Sequence, residues 1–481
     1  MLQKLGDFLL SLIKNYFYNV GYQIFVILIP LVTVPYVSRV LGSEGVGINA
    51  YTNSIIQYFI LFGSIGINLY GNRTIAYNRD NRKKMSQLFW EIAILRMICI
   101  AISYIAFLIF ISVVSEYQSF YLYQSFLIIA AGLDISWFFM GIEDFKKTVL
   151  RNTLVKIISL ISIFVFVKSK NDVGLYILIL SLSILFGNLT LWPYLRKIVT
   201  IPKFKELNLW RHFLPSLALF VPQVATQVYL VLNKTMLGIM VGVNSTGYYE
   251  NSDKIVKVVL AIVTATGTVM LPRVANTFAK GQKEKVAKYL YQSFDFVTAI
   301  CFPMALGLSA IAPKFSIWFL GSEFEITGTL ISILSLVIIF IGWSNVLGTQ
   351  YLLPTNQTRY YTMSVVCGAI TNLILNFPLI INFGVFGAVI STVLSEFTVT
   401  MVQIILARKT LQISALFNGK WKYMVSAILM FGVVRWVHIL LPGRLIYFGF
   451  EILLGVLIYL AMLYTLRASI IELAKGIIKK S

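Results

Sequence analysis

The sequence predicts an all-α protein that crosses a membrane many times. Of its 481 residues, 58% are hydrophobic and only 12% are charged, and the mean hydropathy is +0.83. Apolar runs of roughly 18 residues or more recur along the chain, and each is long enough to cross about 30 Å of hydrocarbon. The short segments of alternating hydropathy that are typical of an outer-membrane barrel are absent. This pattern excludes a soluble globular protein.

Fourteen apolar segments are predicted to span the membrane. The first is interpreted as a span because no small-residue cleavage site follows it, as a secretory signal would require. The least distinct boundary lies near 382–384, where almost no loop separates two segments. The predicted spans are 15–37, 46–72, 87–113, 120–140, 149–167, 173–195, 211–241, 246–272, 287–311, 326–353, 360–383, 384–407, 421–441 and 444–466.

The basic residues predict which ends of the spans face the cytoplasm. With the N-terminus placed inside, 29 of the 40 Lys and Arg residues fall in inner segments and 5 in outer loops. Short cytoplasmic loops collect basic residues, so both termini are expected on the cytoplasmic side of a bacterial cell membrane. The same bias explains most of the net charge of +21 as contact with anionic lipid, and no nucleic-acid partner is expected.

The sequence lacks the residues that ATP hydrolysis, other hydrolytic catalysis and metal binding require. No Walker A motif is present, no acidic or histidine constellation resembles a hydrolytic site, and no inner loop is long enough for an enzyme domain. The two histidines cannot build a metal site, and the cysteines are interpreted as core residues. We therefore expect a transporter with no catalytic residue, metal or cofactor. The cysteines are Cys99, Cys301 and Cys367.

A shift of 200 residues reveals a weak internal repeat. Gly42 aligns with Gly242, Gly47 with Gly247, and Arg73 with Arg273, at the same places relative to two predicted hairpins. Six spans separate the copies, and an even number preserves direction, which predicts a parallel repeat about an axis along the membrane normal. The predicted organisation is an N-lobe (1–200, spans 1–6), a C-lobe (201–410, spans 7–12), and two further spans with a cytoplasmic tail (411–481).

Prolines interrupt the first span of each predicted lobe. Pro30 and Pro35 lie in span one, and Pro215 and Pro222 lie in span seven. Proline removes a rung of the helical hydrogen-bond ladder, so these residues are candidates for gating elements. The alternative is that proline is simply common in membrane helices.

The eighth span begins with four charges on one helix face. Glu250, Asp253, Lys254 and Lys257 follow the spacing i, i+3, i+4, i+7, so Glu250 is expected to reach Lys254 and Asp253 to reach Lys257. The stripe is either an ion network that stabilises the hairpin or a polar wall that meets an anionic or sugar substrate. Lys234 of span seven is expected at the same depth.

Other polar residues within the spans are further candidates. Arg96 has no acid on its own face and is predicted to be an unpaired cation, whereas Asp134 is matched by depth with Lys156, and Arg435 with Glu451. Each charge would be costly against lipid, so none is expected to face lipid unpaired. Additional candidates for substrate contact, ion coupling or simple helix packing are Arg39, Arg273, Asn49, Asn53, Gln57, Asn233 and Glu396.

Two hairpins carry a family resemblance. The segments PYVSRVLGSEGVGINAY and VLNKTMLGIMVGVNSTGYYENSDKIVKVV resemble the polysaccharide flippases of the multidrug/oligosaccharidyl-lipid/polysaccharide exporter superfamily. The resemblance implies a V-shaped protein with a cationic central cavity. It also implies movement of undecaprenyl-diphosphate-linked oligosaccharide or teichoic acid units to the outer leaflet by alternating access. The cavity cations that it implies are Arg39, Arg96, Lys234, Lys254 and Arg273.

One position departs from the pattern, and other functions stay open. Asn233 stands where relatives often carry Asp, which puts in question an ion-coupling role there. The alternatives are a lipid II flippase, a drug/cation antiporter of the same superfamily, and a membrane-embedded glycan polymerase or transferase. We expect a monomer whose partners are the lipid-linked glycan, membrane lipids and glycan assembly enzymes, with H⁺ or Na⁺ as the candidate coupling ion.

Overall fold

The computed structural model describes the backbone of residues 2–202, 205 and 207–472. Side chains are described for the same residues except 2–28, 145–146, 221–223, 225–226, 228–230 and 268–269. Within these residues every regular element is a helix, which confirms the predicted all-α class. The chain divides into two compact units, Met1–Thr235 and Met236–Ser481.

The described part of the first unit contains nine α-helices, the last of them extending a few residues beyond the unit. They are α1 (Leu2–Ser64), α2 (Ile67–Asn78), α3 (Arg82–Val113), α4 (Gln118–Leu133), α5 (Ser136–Gly141), α6 (Phe145–Phe166), α7 (Val173–Leu189), α8 (Trp192–Leu195) and α9 (Phe213–Met240). An aromatic cluster at one end of this unit packs Phe89 of α3 against Trp137 and Phe138 of α5, all of them fully buried.

The second unit is also built from helices. They are α10 (Val243–Ala279), α11 (Lys283–Leu320), α12 (Glu325–Leu334), α13 (Val337–Ser344), α14 (Thr358–Phe383), α15 (Val385–Ala407), α16 (Ile413–Phe417), α17 (Trp421–Leu440) and α18 (Leu445–Thr465), with a π-helix at Asn345–Leu352. Gly384 alone separates α14 from α15, in a left-handed conformation (φ 56°). The nearly absent loop predicted at this join is confirmed.

Eleven described helical segments are long and apolar enough to cross a membrane, or twelve if the bent pair Ser322–Leu334 and Val337–Leu352 counts as one span. Predicted span one and most of predicted span two lie in α1, which is helical throughout except at Gly42 (φ 70°, ψ −177°), and the end of span two lies in α2. Predicted span seven lies in α9, where several side chains are outside the described residues. The predicted count of fourteen is therefore not confirmed.

Helices on the periphery of each unit expose apolar side chains. Ile158 of α6 is 57% exposed and Ile446 of α18 is 75% exposed. A water-soluble protein rarely leaves contiguous surfaces of this kind uncovered. They are the surfaces expected to contact acyl chains, and they leave the buried polar groups of each unit as the candidates for function.

Candidate functional site

Arg96 lies in the interior of the first unit, on α3, and only 2% of its surface is exposed. Its guanidinium donates to Asn68 Oδ1 at 2.5 Å and to the carbonyl oxygen of Ala131 at 2.6 Å. Its Nη2 lies 3.8 Å from a carboxylate oxygen of Asp134. A charge at this depth is stable only when it is paired and hydrogen-bonded. The prediction that Arg96 is unpaired is therefore wrong, because Asp134 lies beside it. The match of Asp134 with Lys156 by depth stays a prediction.

Arg96 nevertheless borders a cavity of about 330 Å³ inside this unit. Arg151 of α6 also lines it and donates to Asn188 Oδ1 of α7. Guanidinium groups bind phosphate and carboxylate in two-pronged geometry, and side-chain amides bond hydroxyl groups. We call this space the polar cavity; its charged and amide lining is Gln57, Asn68, Arg96, Asp134, Arg151 and Asn188.

The three polar residues predicted along the second span have different surroundings. Asn49 accepts a hydrogen bond from Gln124 of α4 at 3.1 Å through its side-chain oxygen. Asn53 accepts from Gln57 at 3.5 Å, and Gln57 lines the polar cavity. Asn49 therefore joins α1 to α4, and Gln57 is the member of the three placed to meet a ligand in this cavity.

The charged stripe of α10 forms the two predicted pairs. Lys254 Nζ lies 3.0 Å from Glu250, and Lys257 Nζ donates to Asp253 at 2.7 Å. The carboxylate side chains are largely buried, whereas the side chain of Lys257 is 51% exposed. Long basic side chains bury their stems and place the ammonium group outward. Each pair is confirmed, and the stripe presents its positive ends outward.

The remaining predicted basic and polar candidates have contacts that do not decide their roles. Arg273 lies over the ring of Tyr289, 4.5 Å from its centre. Asn233 is 2% exposed on α9, and Lys234 next to it is half-buried. Arg39 is exposed, and Glu396 is half-buried on α15. Their roles in substrate binding or ion coupling stay predictions.

The prolines predicted to gate do not interrupt the described helices. Helix α1 continues through Pro30 and Pro35 and departs from helical geometry at Gly42. Pro215 is the third residue of α9, in the first turn, where a helix has no internal acceptor for the amide. It therefore costs no hydrogen bond. The side chain of Pro222 lies outside the described residues.

A buried network around Glu91 was not predicted from the sequence. The Glu91 carboxylate, fully buried on α3, accepts hydrogen bonds from Arg211, from His212 at 2.7 Å and from the amide of Asn208 at 2.9 Å. The other ring nitrogen of His212 lies 2.7 Å from the Tyr70 hydroxyl. The partners lie about 120 residues from Glu91 along the chain, so the spacing of residues within one helix could not predict them.

Two acids of the second unit are also buried and paired. Asp295 of α11 pairs with Lys420 and accepts from the Tyr423 hydroxyl at 2.9 Å. Glu451 of α18 lies 3.0 Å from His438 Nδ1. Arg435 donates instead to the carbonyl oxygen of Ala310 at 3.1 Å. The predicted Arg435–Glu451 pair is therefore wrong, because the histidine one turn further along α17 occupies the position.

The amino-acid sequence matches the profile of the Polysaccharide biosynthesis protein family over residues 12–278, more than half of the chain. The chain belongs to this family. It is 26% identical over 407 residues to a protein of Escherichia coli K12 named "Putative O-antigen transporter", a match that covers 83% of this chain and 97% of the relative. A protein of the same name from Shigella dysenteriae is 23% identical over 378 residues, covering 78% of this chain and 94% of the relative.

Solved structures share the fold at low sequence identity. The lipid II flippase MurJ, in an inward closed conformation, has a TM-score of 0.75 at 15% identity and covers 93% of this chain and 98% of that one. An inward-facing multidrug resistance MATE transporter has a TM-score of 0.60 at 14% identity, covering 81% and 94%. This family member is therefore a multi-span membrane protein with the fold of these transporters.

Proposed function

We propose that this protein is a flippase that moves a lipid-linked glycan unit from the inner to the outer leaflet. The substrate is an undecaprenyl-diphosphate-linked oligosaccharide or a teichoic acid precursor. The observation that carries the proposal is the match to O-antigen transporters along 94% and 97% of their own length. Full-length similarity within one transporter family supports a shared class of cargo better than fold alone does.

The buried basic residues suit such a cargo. A diphosphate headgroup is anionic, and Arg and Lys are its natural partners. Arg96 borders the polar cavity of the first unit. In the second unit, Lys254 and Lys257 lie on the outer side of the charged stripe of α10. The prenyl chain can stay in hydrocarbon while only the headgroup crosses. Alternating access, driven by an ion gradient or the membrane potential, is part of this proposal.

Deletion of the gene tests the cargo directly. We expect a lipid-linked glycan intermediate to accumulate in the inner leaflet and the corresponding surface glycan to disappear, with both effects reversed by the wild-type gene. Identification of the accumulated lipid by mass spectrometry names the substrate. Accumulation of lipid II instead, with rescue of a lipid II flippase depletion strain, would replace this proposal with the peptidoglycan precursor.

Paired variants separate a substrate-binding role from a structural one. Arg96→Gln together with Asp134→Asn removes both members of the ion pair and leaves neither charge unmatched. We expect this double variant to reach wild-type protein levels and to lose glycan export, as Lys234→Ala should also do. Arg196→Ala, an exposed basic residue away from the polar cavity, is the control and should export normally. Normal export by the double variant would show that the Arg96–Asp134 pair only stabilises the fold.

A further inference from the structure

A second space opens between α6 and α7 of the first unit. This space, the α6–α7 groove, has a volume of about 510 Å³. Leu150, Leu154 and Ile158 line it from α6 at i, i+4, i+8, and each is at least half exposed. Leu182 and Phe186 line it from α7. The groove is therefore an apolar channel on a surface that faces lipid.

The groove adjoins the polar cavity and shares part of its lining. Arg151, Val155 and Gly187 border both spaces. At their junction the two helices touch, since a Cβ on Gly187 would lie 2.2 Å from a Val155 methyl group. A molecule that filled both spaces would have an apolar part in the groove and a polar part beside Arg151.

The charges of the polar cavity define the polar part. The charged residues of its lining are Arg96, Arg151 and Asp134, which together leave one positive charge. Lys147, which lines the groove, is paired with Asp144 at 2.7 Å and adds no net charge. One phosphodiester matches that charge, and the amides of Asn68 and Asn188 match hydroxyl groups.

The length of the groove defines the apolar part. From Leu150 to Ser162 it runs about 18 Å along α6, at 1.5 Å per residue. That is close to one leaflet of a hydrocarbon core about 30 Å thick. The segment that contains Arg151 belongs to the predicted inner side, where basic pockets between spans bind anionic headgroups.

We propose that the α6–α7 groove and the polar cavity together bind an anionic phospholipid of the inner leaflet. Its phosphodiester contacts Arg151, its headgroup hydroxyls face the amides of the polar cavity, and one acyl chain lies along the groove. A polyprenyl diphosphate fits less well, because it carries more negative charge than the lining offers and a chain longer than the groove. The site overlaps the proposed cargo path at Arg96 and the polar cavity, so the phospholipid and the cargo headgroup would exclude each other there.

Native mass spectrometry of the purified full-length protein, with phosphatidylglycerol and with phosphatidylcholine, tests the site. We expect bound phosphatidylglycerol to exceed bound phosphatidylcholine, and Arg151→Ala to weaken phosphatidylglycerol binding about fivefold or more. Arg151→Lys should retain part of the affinity. Arg196→Ala, which removes an exposed charge outside both spaces, should bind like wild type.

Ser183→Phe provides a second test that keeps every charge. Ser183 lines the groove from α7, and a phenyl ring there would occupy the path of the acyl chain. We expect this variant to lose phosphatidylglycerol as Arg151→Ala does, which keeps the proposal testable if Arg151→Ala fails to fold. Wild-type binding by Ser183→Phe would overturn the proposal. Displacement of phosphatidylglycerol by an equal concentration of undecaprenyl phosphate, but not of inorganic phosphate, would overturn the assigned occupant.

Discussion

Residues 42–57 and 242–257 repeat the same local structure with different chemistry. Gly42 and Gly242 both adopt positive φ with extended ψ, a region open in practice only to glycine. Ten residues after each glycine, the Thr52 hydroxyl donates to the carbonyl of Ile48 at 2.7 Å, and the Ser252 hydroxyl donates to that of Tyr248 at 2.8 Å. The two segments thus share the glycine conformation and the hydroxyl contact at aligned positions.

The side chains that follow have diverged. In the first copy, Gln57 donates to Asn53 at 3.5 Å, a neutral pair. In the second, the aligned Lys257 donates to Asp253 at 2.7 Å, a charged pair. Both pairs have the same i, i+4 geometry, so one scaffold carries either a neutral or an ionic contact. The glycines therefore determine the backbone conformation of each copy, whereas the residues at 53 and 57, or at 253 and 257, determine its charge.

The largest expected effect follows from reversing one charge of the ionic copy. Glu250→Lys would place two ammonium groups one turn apart within a span, at a cost on the order of 3 kcal/mol in the free energy of unfolding. The double variant with Lys254→Glu restores the pair and should recover most of that loss. Chemical unfolding in detergent measures both. Equal damage from each single variant and from the double would argue against direct pairing.

Removing the glycines should have the next largest effect. Gly42→Ala and Gly242→Ala force a Cβ into a region of φ and ψ that disfavours it, at about 1–3 kcal/mol each. Because nothing lies within 4 Å of the added Cβ at Gly242, the cost there is conformational. Gly432→Ala in α17, where a Cβ also meets open space, is the control and should stabilise by up to about 1 kcal/mol. Stabilisation by Gly242→Ala would remove the argument from backbone geometry.

Replacing the ionic pair of the second copy by the amide pair of the first tests what the charges contribute. Asp253→Asn with Lys257→Gln gives the second copy the amide pair of the first. The free energy of unfolding should change by less than about 1 kcal/mol, since Lys257 is half exposed. Export of the glycan should fall if the stripe contacts an anionic headgroup. Unchanged export would identify the stripe as structural.

The smallest effect is expected at the hydroxyl groups. Thr52→Val and Ser252→Ala each remove one bond to the preceding turn, and such bonds contribute little in a helix that already satisfies its carbonyls. Both variants should lie within about 1 kcal/mol of wild type by thermal unfolding. A large difference between them would mean that the two helices differ in packing at this level.

Local patterns made much of the fold predictable. Hydropathy located α14 and α15 to within a few residues, and i, i+4 spacing predicted both ion pairs of α10. Helices α10 and α11 run several residues beyond the predicted spans because hydropathy detects only the apolar part of a helix. Predicted spans one and two join in a single run because a glycine can turn the chain without a loop.

The interior contacts were not predictable in the same way. Arg96 meets Asn68 and Ala131 across two other helices, and nothing in the local spacing identifies those partners. The Arg435–Glu451 prediction failed for the same reason: depth within a span restricts the choice of partner but not the face on which it lies.

The Glu91 network holds the start of α9 in place within the first unit. It fastens residues 208–212, the connection that enters α9, to α3 at three points. Displacing that connection would remove the hydrogen-bond donors of a buried carboxylate, which is energetically costly. Residues 208–212 are therefore expected to keep their position relative to α3. Any bending of α9 is therefore expected beyond Phe213, with residues 208–212 moving together with α3.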